Sequence, residues 1–313
     1  MIYHRRFFLL MGSATLIASA CTRATKPDNQ AAKAVKRIKH AFGETEVPTN
    51  PTRVIVLGYT TVEAVLAHGV QPIGAPDGVV SSLSHLSLDN ETTEDIGSPT
   101  QPSLETIAVL KPDLILTSKY RLGDSYDQLA QIAPTVVFDI DGNHQWKELT
   151  RLCGEALGKQ AETQTLAAAY DTKLQTVKDQ LSQTGKQPQV SIVSIFPGLI
   201  RAAGTETFAG SVLADAGIAR PPSQSQAQGP QNISLESLDL LDGDVIFLMN
   251  LQGDTDMATQ VQTEIERVKS QPLWSQLKAV QNKQVYEVNS HWTIGSYLSA
   301  DLILDDLLTY MGS

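Results

Sequence analysis

Residues 103–116 read Ser-Leu-Glu-Thr-Ile-Ala-Val-Leu-Lys-Pro-Asp-Leu-Ile-Leu, and residues 234–247 read Ser-Leu-Glu-Ser-Leu-Asp-Leu-Leu-Asp-Gly-Asp-Val-Ile-Phe. Ser103 aligns with Ser234, Glu105 with Glu236 and Asp113 with Asp244, at a constant offset of 131 residues. Each copy opens as a helix does, with a Ser to cap it, a Glu in its first turn and apolar residues at helical spacing. Each then turns, at Lys-Pro-Asp or Asp-Gly-Asp, into a short apolar strand. The repeat predicts two similar α/β lobes, each with a capped helix feeding a buried strand. Two lobes imply a cleft, and a cleft implies a ligand.

Working outward, strands and helices alternate on both sides of each copy. Val54-Ile55-Val56-Leu57 is a continuous apolar run, the mark of a strand covered on both faces. Thr60 to His68 reads as a helix closed by Gly69. Ile73-Gly74, Leu114–Leu116 and Val136–Phe138 are further strands of the first lobe. Val190–Phe196, Val245–Met249 and Val285–Val288 serve the second. This alternation predicts largely parallel sheets with helices on both faces. Ser223 to Gln231, rich in Ser, Gln, Gly and Pro, reads as a loop. Between the lobes, Trp146 to Leu157 reads as one helix broken near Gly158. Ala161 to Leu181 reads as a longer one, either a strut joining the lobes or a helix packed within one of them.

The 313-residue chain is long enough for two cores, and its net charge of −10 argues against a nucleic-acid partner. The first twenty residues read as a targeting segment. Arg5-Arg6-Phe7-Phe8-Leu9 resembles the twin-arginine export pattern, and the apolar stretch from Leu9 to Ala20 is too short for a comfortable membrane span. It ends Leu16-Ile17-Ala18-Ser19-Ala20-Cys21, which resembles a bacterial lipoprotein cleavage site. Ala18 stands where Leu is usual, and a plain signal peptide is the alternative. Cleavage before Cys21 removes two arginines, leaving 22 basic against 34 acidic residues, a net of −12. With Cys21 lipidated, Cys153 has no disulfide partner. Its neighbours Leu149, Leu152, Ala156 and Leu157 make it a small buried apolar residue rather than a nucleophile. The predicted organisation is a signal peptide over 1–20, a lipidated tether over 21–35 and an N-terminal lobe over 36–143. A helical segment over 144–187, with the inter-lobe helix at 161–182, then leads to a C-terminal lobe over 188–313.

Ligands of open parallel sheets sit beyond the carboxyl ends of the strands. That rule selects Gly58-Tyr59-Thr60, Ser118-Lys119-Tyr120-Arg121, Gly198-Leu199-Ile200-Arg201, Asn250 and Asn289-Ser290-His291-Trp292. No nucleophile elbow, P-loop or dinucleotide fingerprint is present, so no enzyme activity is expected. The six histidines have no ligand-like spacing, which disfavours a bare metal ion as cargo.

At this point the chain resembles a known family: the lipoprotein-anchored substrate-binding proteins of ferric-siderophore and cobalamin importers. These are the class III type of periplasmic binding protein, two Rossmann-like lobes with parallel sheets joined by one long helix. The resemblance is carried by Pro51-Thr52-Arg53-Val54-Ile55-Val56-Leu57, Gly69-Val70-Gln71-Pro72-Ile73-Gly74 and Leu110-Lys111-Pro112-Asp113-Leu114-Ile115. Ile132-Ala133-Pro134-Thr135, Pro272-Leu273-Trp274 and Val285-Tyr286-Glu287-Val288 with Trp292 complete it. It implies a monomer that takes a ferric siderophore to an ABC importer permease from the periplasm or the outer face of the cytoplasmic membrane, touching that membrane through its lipid only. Haem or cobalamin is the alternative cargo within the same architecture. No covalent cofactor is implied apart from the lipid on Cys21. Glu105 and Glu236 match the positions that face the permease and pair with arginines there; each also supports its helix start. For an anionic, partly apolar ligand, Arg121 and Arg201 offer always-charged planar donors, one per lobe. Tyr59, Tyr120 and Trp292 offer rigid apolar walls.

Overall fold

The computed structural model describes residues 34–79, 86, 88, 89, 91–122, 124–250 and 256–312. Cys21, the leader and the tether as far as residue 33 lie outside the described residues, while Val35, read as the end of the tether, already opens a strand; Ala34–Ser313 cluster as one unit.

The first sheet is built on β3 (Val54–Leu57), all four residues of which are buried. Around it the strands β4 (Gly74–Ala75), β5 (Glu94–Asp95), β8 (Leu114–Ser118) and β9 (Thr135–Phe138) lie in the order β5-β4-β3-β8-β9, every pair parallel. The alternation of a strand explains why these runs are wholly apolar. Val54, Val56, Leu114 and Leu116 enter one core, and Ile55, Leu57, Ile115 and Val137 enter another on the opposite face. A hairpin of β1 (Val35–His40) and β2 (Gly43–Pro48) precedes the sheet, and β6 (Gly97–Ser98) pairs with β7 (Gln101–Pro102). The sequence reading had no strand in either place.

The second sheet has the order β12-β11-β10-β13-β14, with β10 at Val190–Phe196, β11 at Leu199–Ala202, β12 at Gln231–Ile233, β13 at Val245–Met249 and β14 at Val285–Val288. Strands β10, β13 and β14 are parallel as predicted. Strands β11 and β12 run antiparallel, so this sheet is mixed. The segment Gly198-Leu199-Ile200-Arg201, placed by the sequence beyond the end of β10, instead turns back on it in a hairpin at Pro197-Gly198. Proline sets the first φ, and Gly198 takes φ 71. Likewise β12 begins inside the stretch read as loop, after a short helix at Pro222–Ser225.

The repeated segment folds alike only in part. In the first copy the helix Leu104–Leu110 forms as expected, the Ser103 hydroxyl accepting from the Thr106 amide at 3.3 Å. The second copy is a 3₁₀ stretch, Leu235–Leu241, broken at Ser237, and Ser234 makes no side-chain cap. Its hydroxyl goes to the Ser237 hydroxyl at 3.2 Å instead. Asp239, a weaker helix former, also stands where the first copy has Ala108.

The helix Trp146–Leu157 ends at Gly158, as read, and the long helix Gln160–Gln183 has 24 residues, about 36 Å at 1.5 Å each. Thr163 at its start bonds His68 of the first lobe (2.8 Å), while Tyr170 and Val177 sit in the core of the second. The shorter helix crosses too: Trp146 packs edge-on against Tyr170, Phe208 and Tyr297, and Leu149, Cys153 and Ala156 enter the first lobe. Cys153 is a buried free thiol, and burial raises its pKa. The described residues include no helix long and apolar enough to cross a membrane.

Candidate functional site

At the carboxyl ends of β3 and β8 the structure gathers three of the predicted residues. Gly58 leaves β3 at φ 107, and a Cβ there would meet the Arg121 side chain at 3.4 Å. The spacing is ordinary contact; it is the positive φ that favours glycine here. The next residue, Tyr59, donates its hydroxyl to the Asp77 carbonyl at 2.7 Å. Burial raises the Tyr59 phenol pKa first, and Asp77 and Asp95 add to it, while the Arg121 charge opposes them. Tyr120 is the second residue of the helical turn Lys119–Leu122 at the end of β8 and donates to the Thr60 hydroxyl at 3.3 Å. Arg121 is exposed, its guanidinium 4.7 Å from the centre of the Tyr120 ring. Stacking on an aromatic face fixes a guanidinium without consuming its donors. Among the described residues, Arg121 has no carboxylate partner.

In the second lobe the placement of Arg201 differs from the reading but keeps it at the strand ends. It lies on β11, not beyond β10, in a row that runs Asn232, Arg201, Ser194, Met249, Val288 across the sheet. Met249 and Val288 are the last residues of their strands, so the row marks the carboxyl rim. Arg201 Nε donates to Asn232 Oδ1 at 3.3 Å. Beyond the end of β13, two strands from β11, Asn250 donates to Glu287 at 2.9 Å.

Trp292 does not present a wall. It is 1% exposed, stacks on Phe247 with centroids 4.4 Å apart, and donates its indole N–H to Asp306 at 2.8 Å. His291 also contacts Asp306, at 2.8 Å. A large aromatic just past a strand satisfies the position rule equally well as core. Here the preceding turn, Ser290–Trp292, directs the side chain inward against the last helix, Tyr297–Met311.

Sequence reasoning missed two groups. Asn143 of the first lobe donates to the Thr293 carbonyl of the second at 3.0 Å. Glu63 lies wholly buried in the helix Tyr59–Ala67. Its signal was a single acid inside the otherwise uncharged run Thr60–Ala67.

Glu105 and Glu236 are both exposed. The Glu236 carboxyl lies below the usual range because its own backbone N–H, and then Ser234, donate to it. One turn after each stands an exposed aliphatic residue at the same repeat position: Val109, 73% exposed, and Leu240, 40% exposed. Among the described residues, no group of three or more His, Cys, Asp or Glu is placed to hold a metal ion.

Comparison with known proteins bears on this geometry. A family model described as periplasmic binding protein matches residues 54–291. The probable siderophore-binding lipoprotein YfiY of Bacillus subtilis is 33% identical over 97% of this chain and 96% of its own length. The achromobactin-binding periplasmic protein of Dickeya dadantii is 32% identical over 84% of this chain and 87% of its own. Among solved structures, Staphylococcus aureus SirA complexed with staphyloferrin B superposes with a TM-score of 0.77 at 30% identity. It covers 88% of this chain and 98% of SirA.

Proposed function

The chain belongs to the periplasmic binding protein family, a family of binding proteins and not enzymes, and from that premise we propose that it captures a ferric siderophore outside the cytoplasmic membrane and delivers it to an ABC importer permease. The observation that carries the choice of ligand is Arg121. It is an exposed guanidinium, held on Tyr120 beside Tyr59, in a chain whose net charge of −10 otherwise repels anions. The iron-bound oxygens of a ferric chelate carry negative charge and supply what this group lacks. Arg201, at the rim of the other lobe, is the second contact, and Tyr59 and Tyr120 supply apolar wall. Trp292 supports the second lobe from within.

Anchoring through a lipid on Cys21, with export by the twin-arginine route, completes the reading. Glu105 and Glu236 are the permease contacts. The exposed Val109 and Leu240 support that role, because each acid then has an apolar neighbour on the same surface, as interfaces require.

The test is native mass spectrometry of the protein against ferric citrate, ferric achromobactin and ferric staphyloferrin B. At least one should bind. Arg121→Ala and Arg201→Ala should each weaken it roughly tenfold, the worth of one hydrogen bond to a charged group. Binding of none, or wild-type affinity in both variants, would overturn the assignment.

A further inference from the structure

Two lobes that must hold a ligand between them need a defined mutual placement, and one buried side chain sits where that placement is set. Glu63 belongs to the helix Tyr59–Ala67 of the first lobe. Its Oε1 accepts from the Ser296 hydroxyl at 2.8 Å and from the Ser299 amide at 2.9 Å. Both serines open the helix Tyr297–Met311, whose inward side chains fill the core of the second lobe. Ser296 is that helix's cap, accepting from the Leu298 amide at 3.0 Å. Ser299 is the third helical residue, whose amide has no partner inside the helix. One lobe thus supplies the missing acceptor for the other lobe's last helix. The second carboxyl oxygen, Oε2, is buried with no hydrogen-bond partner.

We propose that Glu63 is a proton-operated latch between the lobes: as the neutral acid it holds the two helices together, and as the carboxylate it loosens their seam. An ionised carboxylate with one oxygen unsolvated is costly to bury. The cost is relieved if the seam admits water, to which the proton has gone. Tyr59 stands one turn before Glu63, so a shift of this helix carries the proposed ligand wall with it.

The local electrostatics agree. Burial raises the Glu63 carboxyl to about 7, against the opposing bonds from Ser299 and Ser296. No charged neighbour compensates, because the ionisable groups on the packed elements are engaged elsewhere. On its own helix His68 is held by Ala64 and Thr163, and Tyr59 by Asp77. On Trp146–Leu157, Lys147 pairs with Asp215, Arg151 with Glu148 and Glu155, and Cys153 is neutral. On Tyr297–Met311, Asp301 and Asp305 pair with Lys173, Asp306 bonds His291 and Trp292, and Tyr297 packs on Trp146. A carboxyl raised in the folded state favours folding most below its unfolded pKa. That contribution is lost as pH rises through about 7.

The experiment compares the full-length protein with Glu63→Gln, which keeps an accepting oxygen and cannot ionise. From pH 5 to 8 the wild type should lose stability relative to Glu63→Gln, on the order of a hundredfold in the unfolding constant. Over the same range, amide exchange corrected for its intrinsic pH dependence should accelerate at both Tyr59–Ala67 and the start of Tyr297–Met311 in the wild type alone. Ser296→Ala removes a donor to the carboxylate and should move the inflection to higher pH, which keeps the test open if Glu63→Gln fails to fold. Parallel stability curves for wild type and Glu63→Gln, or an inflection unmoved by Ser296→Ala, would overturn the latch. None of these readouts depends on what the cleft binds.

Discussion

The two copies of the repeated segment agree at one end and diverge at the other. At the end that leads into the strand, Asp113 and Asp244 do the same work. Asp113 accepts from the Thr52 and Arg53 amides and the Thr52 hydroxyl, between 2.9 and 3.1 Å. Those residues immediately precede β3. Asp244 accepts from the Gln189 amide at 2.7 Å, immediately before β10, and pairs with Lys278. At the other end, Ser103 caps an α-helix while Ser234 heads a kinked 3₁₀ stretch. What the repeat encodes is therefore a clamp. An acid at the start of one strand fixes the start of its neighbour, and the segment before it is free to change.

The clamp gives the largest effect by which this comparison can be broken. Asp113→Ala removes three donors' shared acceptor and should destabilise the protein by about 2–4 kcal/mol. Asp244→Ala removes one backbone bond and a partly exposed ion pair, and should cost about 1–2 kcal/mol. Urea unfolding of the two variants checks the order. Equal losses would mean that the clamps are equivalent despite their different partners.

The surface of the repeat gives a smaller effect. Val109→Asp and Leu240→Asp put a second acid beside Glu105 and Glu236 without touching either core. If these surfaces meet a permease, each change should lower iron uptake roughly tenfold, the worth of one lost apolar contact, while ferric-chelate affinity stays at the wild-type value. Uptake at the wild-type rate in both would remove the aliphatic pair from the contact and sharpen the role of the two acids alone.

The sequence was most legible where one physical rule decided the outcome. Continuous apolar runs located the parallel strands because strands covered on both faces have no polar side. Gly69 and Gly158 ended helices as read, at φ 70 and 75. Strands β11 and β12 were not legible, because Gly198-Leu199-Ile200-Arg201 satisfies the turn rule and the strand rule together. Pairing with β10 decides between them. The gathering of Tyr59, Tyr120 and Arg121 at one sheet edge was legible because each lies within three residues of a strand end. Trp292 follows one too, yet it is core: the position rule names the segment and not the direction of a side chain. Glu63 was invisible for a different reason. Its partners Ser296 and Ser299 lie more than 230 residues away, and no local pattern announces a cap supplied by another lobe.

The finest test lies at the end of the repeat where the copies diverge. Ser103 Oγ receives the Thr106 amide and lies 2.8 Å from the Thr106 hydroxyl, so Ser103→Ala leaves that amide without its cap. Loss of such a cap costs about 1 kcal/mol. Ser234 holds no backbone amide, and its hydroxyl's neighbours, Ser237 and the exposed Glu236 carboxylate, are reached by water once the side chain is cut back. Ser234→Ala should therefore change stability by less than about 0.5 kcal/mol, as exposed substitutions do. The same two residues head identical Ser-Leu-Glu triplets, so composition cannot explain a difference between them. Only the backbone that follows can. A loss for Ser234→Ala as large as that for Ser103→Ala would show that Ser234 caps its segment in solution. The two copies would then be alike along their whole length, and the clamp would be one shared feature of the repeat among several.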